Sequence, residues 1–379
     1  MASGTHEIQT RAGRALIRTA LPACLLAVAA YAVLTGDGID FDANIWQPGK
    51  DIAAGRSPYP APELAELVKP FFLYPPLLLG LSIPFSALPH DVARGLFFMV
   101  EVAAVVGALR LVDVKDRRVY VWALLSYPVF DALLLGNPTL LLLLALAVAW
   151  RWRDQWWIVG LAVGLAGALK LLVWPLGVWL IATRRFKAAA LAAAAAASGV
   201  LLPWALLGFD GLGDYAHVAD LYTEHNGGPR AISIANLAQT IGLSAAAGEV
   251  LRSACGLALL GGAVVLGLRR TAESDWQAYS LVLVAALVLS PVVWIHYLAL
   301  LLIALAIARP SFDRAWIVVC ALWVFPLLPH EDAHTVVVDG RMFTSAGPVP
   351  TIFQLAVGLG FMLYLVVLIV RRSRATTAG

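Results

Sequence analysis

Apolar residues run along this chain in long unbroken blocks, separated by short polar stretches. A helix that crosses a bilayer needs roughly 20 apolar residues at about 1.5 Å of rise each. The blocks 15–35, 92–111, 188–208, 247–268, 292–308, 315–328 and 352–370 meet that need. The blocks 72–89, 119–151, 156–183 and 277–289 are shorter or broken. Gly136-Asn137-Pro138 splits 119–151, and the stretch from Lys170 to Pro175 splits 156–183. Each of these two is too long for one crossing and short for two. Pairs of short helices that meet inside the membrane fit both, because irregular backbone at that depth is tolerated where it lines a cavity. The apolar positions do not alternate, which excludes a membrane β-barrel. The pattern predicts an all-α polytopic membrane protein, with residues 1–379 as a single integral membrane domain.

Charge orients these segments. Arg11, Arg14 and Arg18, the run Arg184-Arg185-Phe186-Lys187, Arg269-Arg270 and Arg371-Arg372-Ser373-Arg374 belong on the cytoplasmic side. The tails 1–14 and 371–379 are then cytoplasmic, and the loops 36–71, 209–246 and 329–351 are external. Two cytoplasmic termini require an even number of crossings, whereas the splitting above yields an odd one. The proline-interrupted segment 72–89 reads as re-entrant, which leaves about 12 transmembrane helices. The basic N-terminus runs into its apolar block without a clear cleavage site and reads as a retained helix. Within the first external loop, 43–55 reads as an interfacial amphipathic helix, with Ile45, Trp46, Ile52 and Ala53 toward lipid and Lys50 and Asp51 toward water. Ala188–Ala197 reads as a small-residue face for close packing.

Composition agrees with the pattern and narrows the function. The chain is 61% hydrophobic and 13% charged, against about half and about a quarter in a soluble domain. A soluble enzyme, a disordered chain and a secreted disulfide scaffold are excluded. Cys24, Cys255 and Cys320 lie inside apolar segments and read as packing residues, not a disulfide framework or metal site. There is no Walker sequence, no GxGxxG and no basic stripe for nucleic acid. Group transfer by such a chain draws its energy from an activated donor.

Ionisable groups in or just outside the hydrocarbon are costly and therefore mark function. Asp40 and Asp42 sit at the external mouth of the first block, in Gly38-Ile39-Asp40-Phe41-Asp42-Ala43-Asn44. Either carboxylate could take a proton from an acceptor hydroxyl as general base, or simply solvate the membrane exit. Lys170 lies deep in an apolar run and must snorkel, meet an anionic ligand such as a phosphate, or pair with a buried acid such as Glu101 or Asp131. His296 stands in the middle of another apolar block and is read either as a ligand or as a satisfied structural residue. Tyr74-Pro75-Pro76, Asn137, Asn236 and Ser290-Pro291 stand at helix ends, where turn formation and capping compete with function. Arg230 could hold a phosphate or remain solvated. His330, Glu331, Asp332 and His334 have weak metal-ligand character, and their spacing matches no motif.

In order, these pieces resemble glycosyltransferase family 87 along roughly residues 40–300. Asp42, Trp46 and Gly55-Arg56-Ser57-Pro58-Tyr59 are similar to the family's first external loop, with Trp46 where Tyr is usual. Tyr74-Pro75-Pro76 resembles its Tyr-Pro-Pro. Gly136-Asn137-Pro138-Thr139 stands where Gly-Gln-x-Asn is common, which departs from the pattern. Lys170-Leu171-Leu172-Val173-Trp174-Pro175 resembles a Lys-x-x-Pro element with an altered gap, and Ser233-Ile234-Ala235-Asn236 an external-loop element. Ser290-Pro291-Val292-Val293-Trp294-Ile295-His296 is close to the Ser-Pro-x-x-Trp-x-His signature. The resemblance implies a GT-C-type fold in the plasma membrane whose external loops form the active site. It implies a polyprenyl-phosphate sugar donor, mannose or arabinofuranose, and a lipid-linked glycan or glycolipid acceptor. It implies no metal cofactor, Asp42 as general base with Asp40 competing, and donor or substrate contacts from His296, Lys170, Arg230, Tyr74, Asn137, Asn236 and Trp294. A secondary transporter or lipid flippase is the alternative class, although no internal repeat is evident and the densest acidic cluster is external.

Overall fold

A computed structural model describes residues 31, 38–59, 72–209, 211–227, 231–327, 335–338, 341–344 and 350–377. Arg230, the group from His330 to His334, and the block 15–35 apart from Tyr31 lie outside the described residues. The rest is helical, with one exception in the third predicted external loop. There β1 (Thr335–Val338) pairs antiparallel with β2 (Arg341–Thr344), Thr335 opposite Thr344.

The other two predicted external loops also contain ordered elements. Helix α1 runs through 39–53 with a π-turn at Asp42–Trp46. Its orientation corrects the amphipathic prediction. Ile45 is buried by protein, and Asp51 is buried too, held by Gln47 and by Arg56 at 2.6 Å. The second loop contains α10 (Leu212–Gly227) and α11 (Ile234–Thr240). Its polar residues are partly caps: the Ser233 hydroxyl accepts the Asn236 N–H, and Ser244 does the same for Ala247.

The remaining helices, in chain order, are α2 (Leu79–Ser86), α3 (His90–Leu111), α4 (Arg117–Leu124), α5 (Tyr127–Leu135), α6 (Thr139–Arg151), α7 (Trp156–Leu169), α8 (Leu176–Ala182) and α9 (Phe186–Leu206). After α11 come α12 (Ala245–Arg269), α13 (Ala272–Leu289), α14 (Leu301–Ala308), α15 (Arg314–Val318), α16 (Val324–Leu327) and α17 (Ile352–Thr377). Helices α3, α9, α12 and the Ile352–Arg371 part of α17 are each long and apolar enough to cross a membrane. Helices α4 and α5, bent by 56°, together form a fifth candidate span.

The short helices end where the sequence breaks them. Gly136, at φ 68°, closes α5 in the left-handed conformation that glycine adopts without strain. Helix α7 stops at Lys170, whose backbone is extended, and α8 begins only after Pro175. Helix α13 stops at Ser290, because a residue before proline is pushed out of the helical region. The Pro75-Pro76 pair starts a single 3-10 turn at Pro76–Leu78. Three of these interruptions, at Tyr74-Pro75-Pro76, Gly136-Asn137 and Lys170, are joined by side-chain hydrogen bonds.

The opposite ends of the same helices gather basic residues. Arg185 holds Asp275 through two nitrogens at 2.9 and 2.7 Å, and Trp179 Nε1 donates to the same carboxylate at 2.8 Å. Nearby Arg153 lies 3.4 Å from Asp275. Asp116 caps α4 and receives the Phe312 N–H. The Arg118 guanidinium beside it, helped by these backbone bonds, lowers its carboxyl to about 2. Between the two ends, α7 packs along α9 through small residues, as the alanine run predicted. A Cβ on Gly164 would lie 2.6 Å from the Ala192 carbonyl oxygen, so only glycine allows this approach. Leucines and valines such as Leu202, Leu206, Val250, Leu257 and Leu363 remain exposed along the outer faces, an apolar surface suited to lipid.

Candidate active site

Asp40 and Asp42 stand two residues apart on α1, close to opposite sides of a helix with about 3.6 residues per turn. They meet different neighbours. Asp42 is half exposed and bonds His90 Nε2 at 2.6 Å, while His90 Nδ1 bonds Asp91 at 3.1 Å. Two carboxylates on one imidazole call for an N–H donor at each nitrogen, so Asp42 is engaged in an ion pair. Asp40 faces inward and accepts the Asn137 amide at 2.6 Å.

From Asp40 a hydrogen-bonded chain continues into the core. Lys170 Nζ donates to the Tyr74 hydroxyl at 3.1 Å, and that hydroxyl donates to Asn137 Oδ1 at 3.4 Å. The Asn137 amide then donates to Asp40, so each bond in the series points toward the carboxylate. The Tyr74-Pro75-Pro76 segment is held by Tyr59, which donates to the Tyr74 carbonyl, and by Tyr215, which donates to the Leu73 carbonyl. Thr139 fixes the rotamer of Asn137 by donating through both its backbone N–H and its hydroxyl to Oδ1.

Lys170 makes no ion pair among the described residues, so of the readings open for it the pair with Glu101 or Asp131 is not formed. Its Nζ lies 3.6 Å from the centre of the Tyr297 ring and 5.0 Å from that of Tyr74. The amine is caged by aromatic rings, and aromatic faces attract its protonated form without neutralising it. Asp131 serves His296 instead. His296 is 3% exposed, its Nδ1 is 3.0 Å from Asp131 Oδ2, and Tyr127 donates to the other oxygen of Asp131 at 3.3 Å. With Nδ1–H donating to the carboxylate, Nε2 is buried and has no hydrogen-bond partner among the described residues. The His296 ring stands edge-on to Tyr297 at 4.8 Å, which closes the circuit back to the Lys170 cage.

Asp40 lies outside the candidate spans. Burial in the cluster raises its carboxyl above the ordinary carboxylate range; His296, the Asn137 amide and Lys170 oppose the rise, and Asp131 adds to it. The predicted residues Asp40, Tyr74, Asn137, Lys170 and His296 are thus brought together, and Asp42 joins His90 at the mouth. Asn236 is elsewhere: its amide donates to the Ala231 carbonyl and its own carbonyl accepts Thr240. It supports the site indirectly, because the loop it shapes donates Ile232 N–H to the Val293 carbonyl, three residues before His296. Trp294 packs on the main core and caps the 3-10 turn Ile295–Leu300 that carries His296. Tyr297, Asp131, Tyr127 and His90 complete the arrangement and were not in the predicted set. Asp131 could have been found from one signal, an acid four residues after a tyrosine in an otherwise apolar helix.

Chemically, the cluster offers a carboxylate that can accept a proton, beside an aromatic-caged amine and an oriented histidine that can meet an anion. The model of glycosyltransferase family 87 matches residues 72–294, more than half of the chain. That stretch contains Tyr74, Asn137 and Lys170, while Asp40 and His296 lie outside it. A polyprenol-phosphate-mannose-dependent alpha-(1-2)-phosphatidylinositol pentamannoside mannosyltransferase of Mycolicibacterium smegmatis is 26% identical over 297 residues, 72% of this chain and 70% of that protein. The protein of the same description from Mycobacterium tuberculosis is 27% identical over 247 residues, 60% of this chain and 55% of its own length. The chain therefore spans about half the length of this second relative. No solved structure matches the chain.

Proposed function

The chain belongs to glycosyltransferase family 87, and from this membership and the chemistry around Asp40 we propose that it transfers mannose from a polyprenyl-phosphate donor to a glycolipid acceptor at the external membrane surface. The two relatives, both named for polyprenol-phosphate-mannose and a phosphatidylinositol mannoside, favour mannose over arabinofuranose. The observation that carries the reading is the Lys170 amine, caged by aromatic rings and linked through Tyr74 and Asn137 to Asp40. A leaving lipid phosphate needs a cation such as the protonated amine, and an attacking hydroxyl needs such a carboxylate.

In this mechanism Asp40 takes the proton of the acceptor hydroxyl as the oxygen attacks the anomeric carbon, and the sugar–phosphate bond breaks on the opposite side. One displacement of this kind inverts the anomeric centre. Lys170 and the Nε2–H of an imidazolium His296 offset the charge that grows on the departing phosphate, while Asp131 and Tyr127 orient the ring. Because side chains supply that charge, transfer proceeds without a resident metal, and EDTA leaves it intact. Asp42, the family-motif carboxylate, is the competing base, but its Oδ1 is already engaged by His90 Nε2 at 2.6 Å.

The membrane arrangement follows the same reading. The basic helix ends face the cytoplasm, the Asp40 cluster opens outward in the plasma membrane, and about 12 crossings form a GT-C-type bundle. The test is transfer by purified enzyme with radiolabelled polyprenyl-phosphate mannose and a phosphatidylinositol mannoside. Asp40→Asn is expected to lower kcat by about 10²-fold or more, and Asp42→Asn by less than about tenfold. The reverse order would move the base to Asp42. No transfer by the wild type with mannose, but transfer with the arabinofuranose donor, would correct the sugar.

A further inference from the structure

Glu101 is a carboxyl group that this mechanism does not use. It stands in the middle of α3 at 0% exposure, and neither of its oxygens has a hydrogen-bond partner among the described residues. An ionised carboxylate without partners is very costly in such surroundings, so the side chain is held as the neutral acid, an O–H donor. On the same face of α3, Arg94, Phe97 and Phe98 join Glu101 in lining a small enclosed cavity of about 10 Å³, completed by Phe41, Leu133 and Gly136. That volume suits one water molecule.

The position of the cavity links it to the site. Phe41 follows Asp40 in sequence, and Gly136 precedes Asn137. The two are packed so tightly that a Cβ on Gly136 would lie 2.6 Å from the Phe41 Cβ. Leu133 and Gly136 belong to the C-terminal end of α5, where the last carbonyls lack intrahelical partners and the helix dipole is negative. Such an end repels a carboxylate and favours an O–H donor. The charged groups nearby are Arg94, which packs on Gly38, and Asp40, whose charge reaches Glu101.

We propose that Glu101 is a positioning residue: as a neutral acid it donates to one water held in this cavity, and the water donates to a C-terminal carbonyl of α5. The pair fixes the Gly136-Asn137 reversal against α1 and so aims the Asn137 amide at Asp40. This rests on Asp40 being the base of glycosyl transfer.

The experiment compares Glu101→Leu and Glu101→Gln in the full-length enzyme, measuring kcat, donor KM and the infrared spectrum. Glu101→Leu is expected to lower kcat about tenfold or more with donor KM nearly unchanged, because only the reacting geometry is disturbed. Glu101→Gln keeps an N–H donor without charge and should return kcat to within about threefold of wild type. Wild type at neutral pH should show a protonated-carboxyl carbonyl band that Glu101→Gln removes. Unchanged kcat in Glu101→Leu, no rescue by glutamine, or no such band would each overturn the proposal. The band decides the matter even if the leucine variant fails to fold. Sustained transfer by Asp40→Asn would instead sink the base assignment, so the two failures are told apart.

Discussion

Asp40 and Asp42 have the same chemistry and nearly the same place in sequence, yet one accepts a neutral amide and the other is paired with His90. The difference bears on pH. A base works ionised, so activity falls as pH drops through its pKa, and burial sets that point for Asp40 above the ordinary carboxylate value. The acid limb of kcat/KM is therefore expected above about pH 4. A limb at or below that value would argue against buried Asp40 as the base. Lys170 allows a second prediction at this scale. Lys170→Gln keeps a donor for Tyr74 but loses the charge, and should raise donor KM about tenfold or more while the fold survives. A change confined to the acceptor KM would remove Lys170 from the donor phosphate. The identity of these residues was legible from their cost in an apolar setting. Their partners were not: a buried acid and an anionic ligand were both open for Lys170, and the side chain meets two tyrosine rings, because which helices face each other is not written in either helix.

Helix ends were the most legible elements. Gly136, Pro175 and Pro291 stop or start helices for local reasons, through left-handed φ, the missing N–H and the restriction on the preceding residue. Helix faces were less so. The segment 43–55 has the composition of an interfacial helix, but α1 buries Ile45 and Asp51 against α2 and its own loop. The amphipathic reading assumed lipid where protein stands. The α7–α9 contact was legible on the α9 side, through its alanines, and it makes a sharp prediction. Gly164→Val forces a side chain onto the Ala192 backbone and should destabilise the protein by about 1–3 kcal/mol. Thermal unfolding in detergent checks this, with Gly177→Val, where a Cβ meets open space, as the control.

At the scale of the whole molecule, the site joins helix interruptions from distant parts of the chain, and Arg185 and Arg270 stand at other helix ends. An impermeant thiol reagent should label a cysteine at Ala54 in intact cells, and label one at Arg270 only after lysis, with the three native cysteines replaced. The opposite result would invert the enzyme and put its acceptor in the cytoplasm. The pattern along the chain was enough to read a helical membrane protein, the places where its helices break and the charged side chains too costly to be idle, since these depend on local backbone chemistry and on transfer from water to lipid. Packing in three dimensions was needed to show which of two aspartates turns inward, that His296 leans on Asp131, that the Lys170 amine is caged by aromatic rings, and that Glu101 lines a cavity behind the site. Each of these depends on residues from distant segments sharing one place, and that is set by packing of the whole chain rather than by the pattern along any part of it.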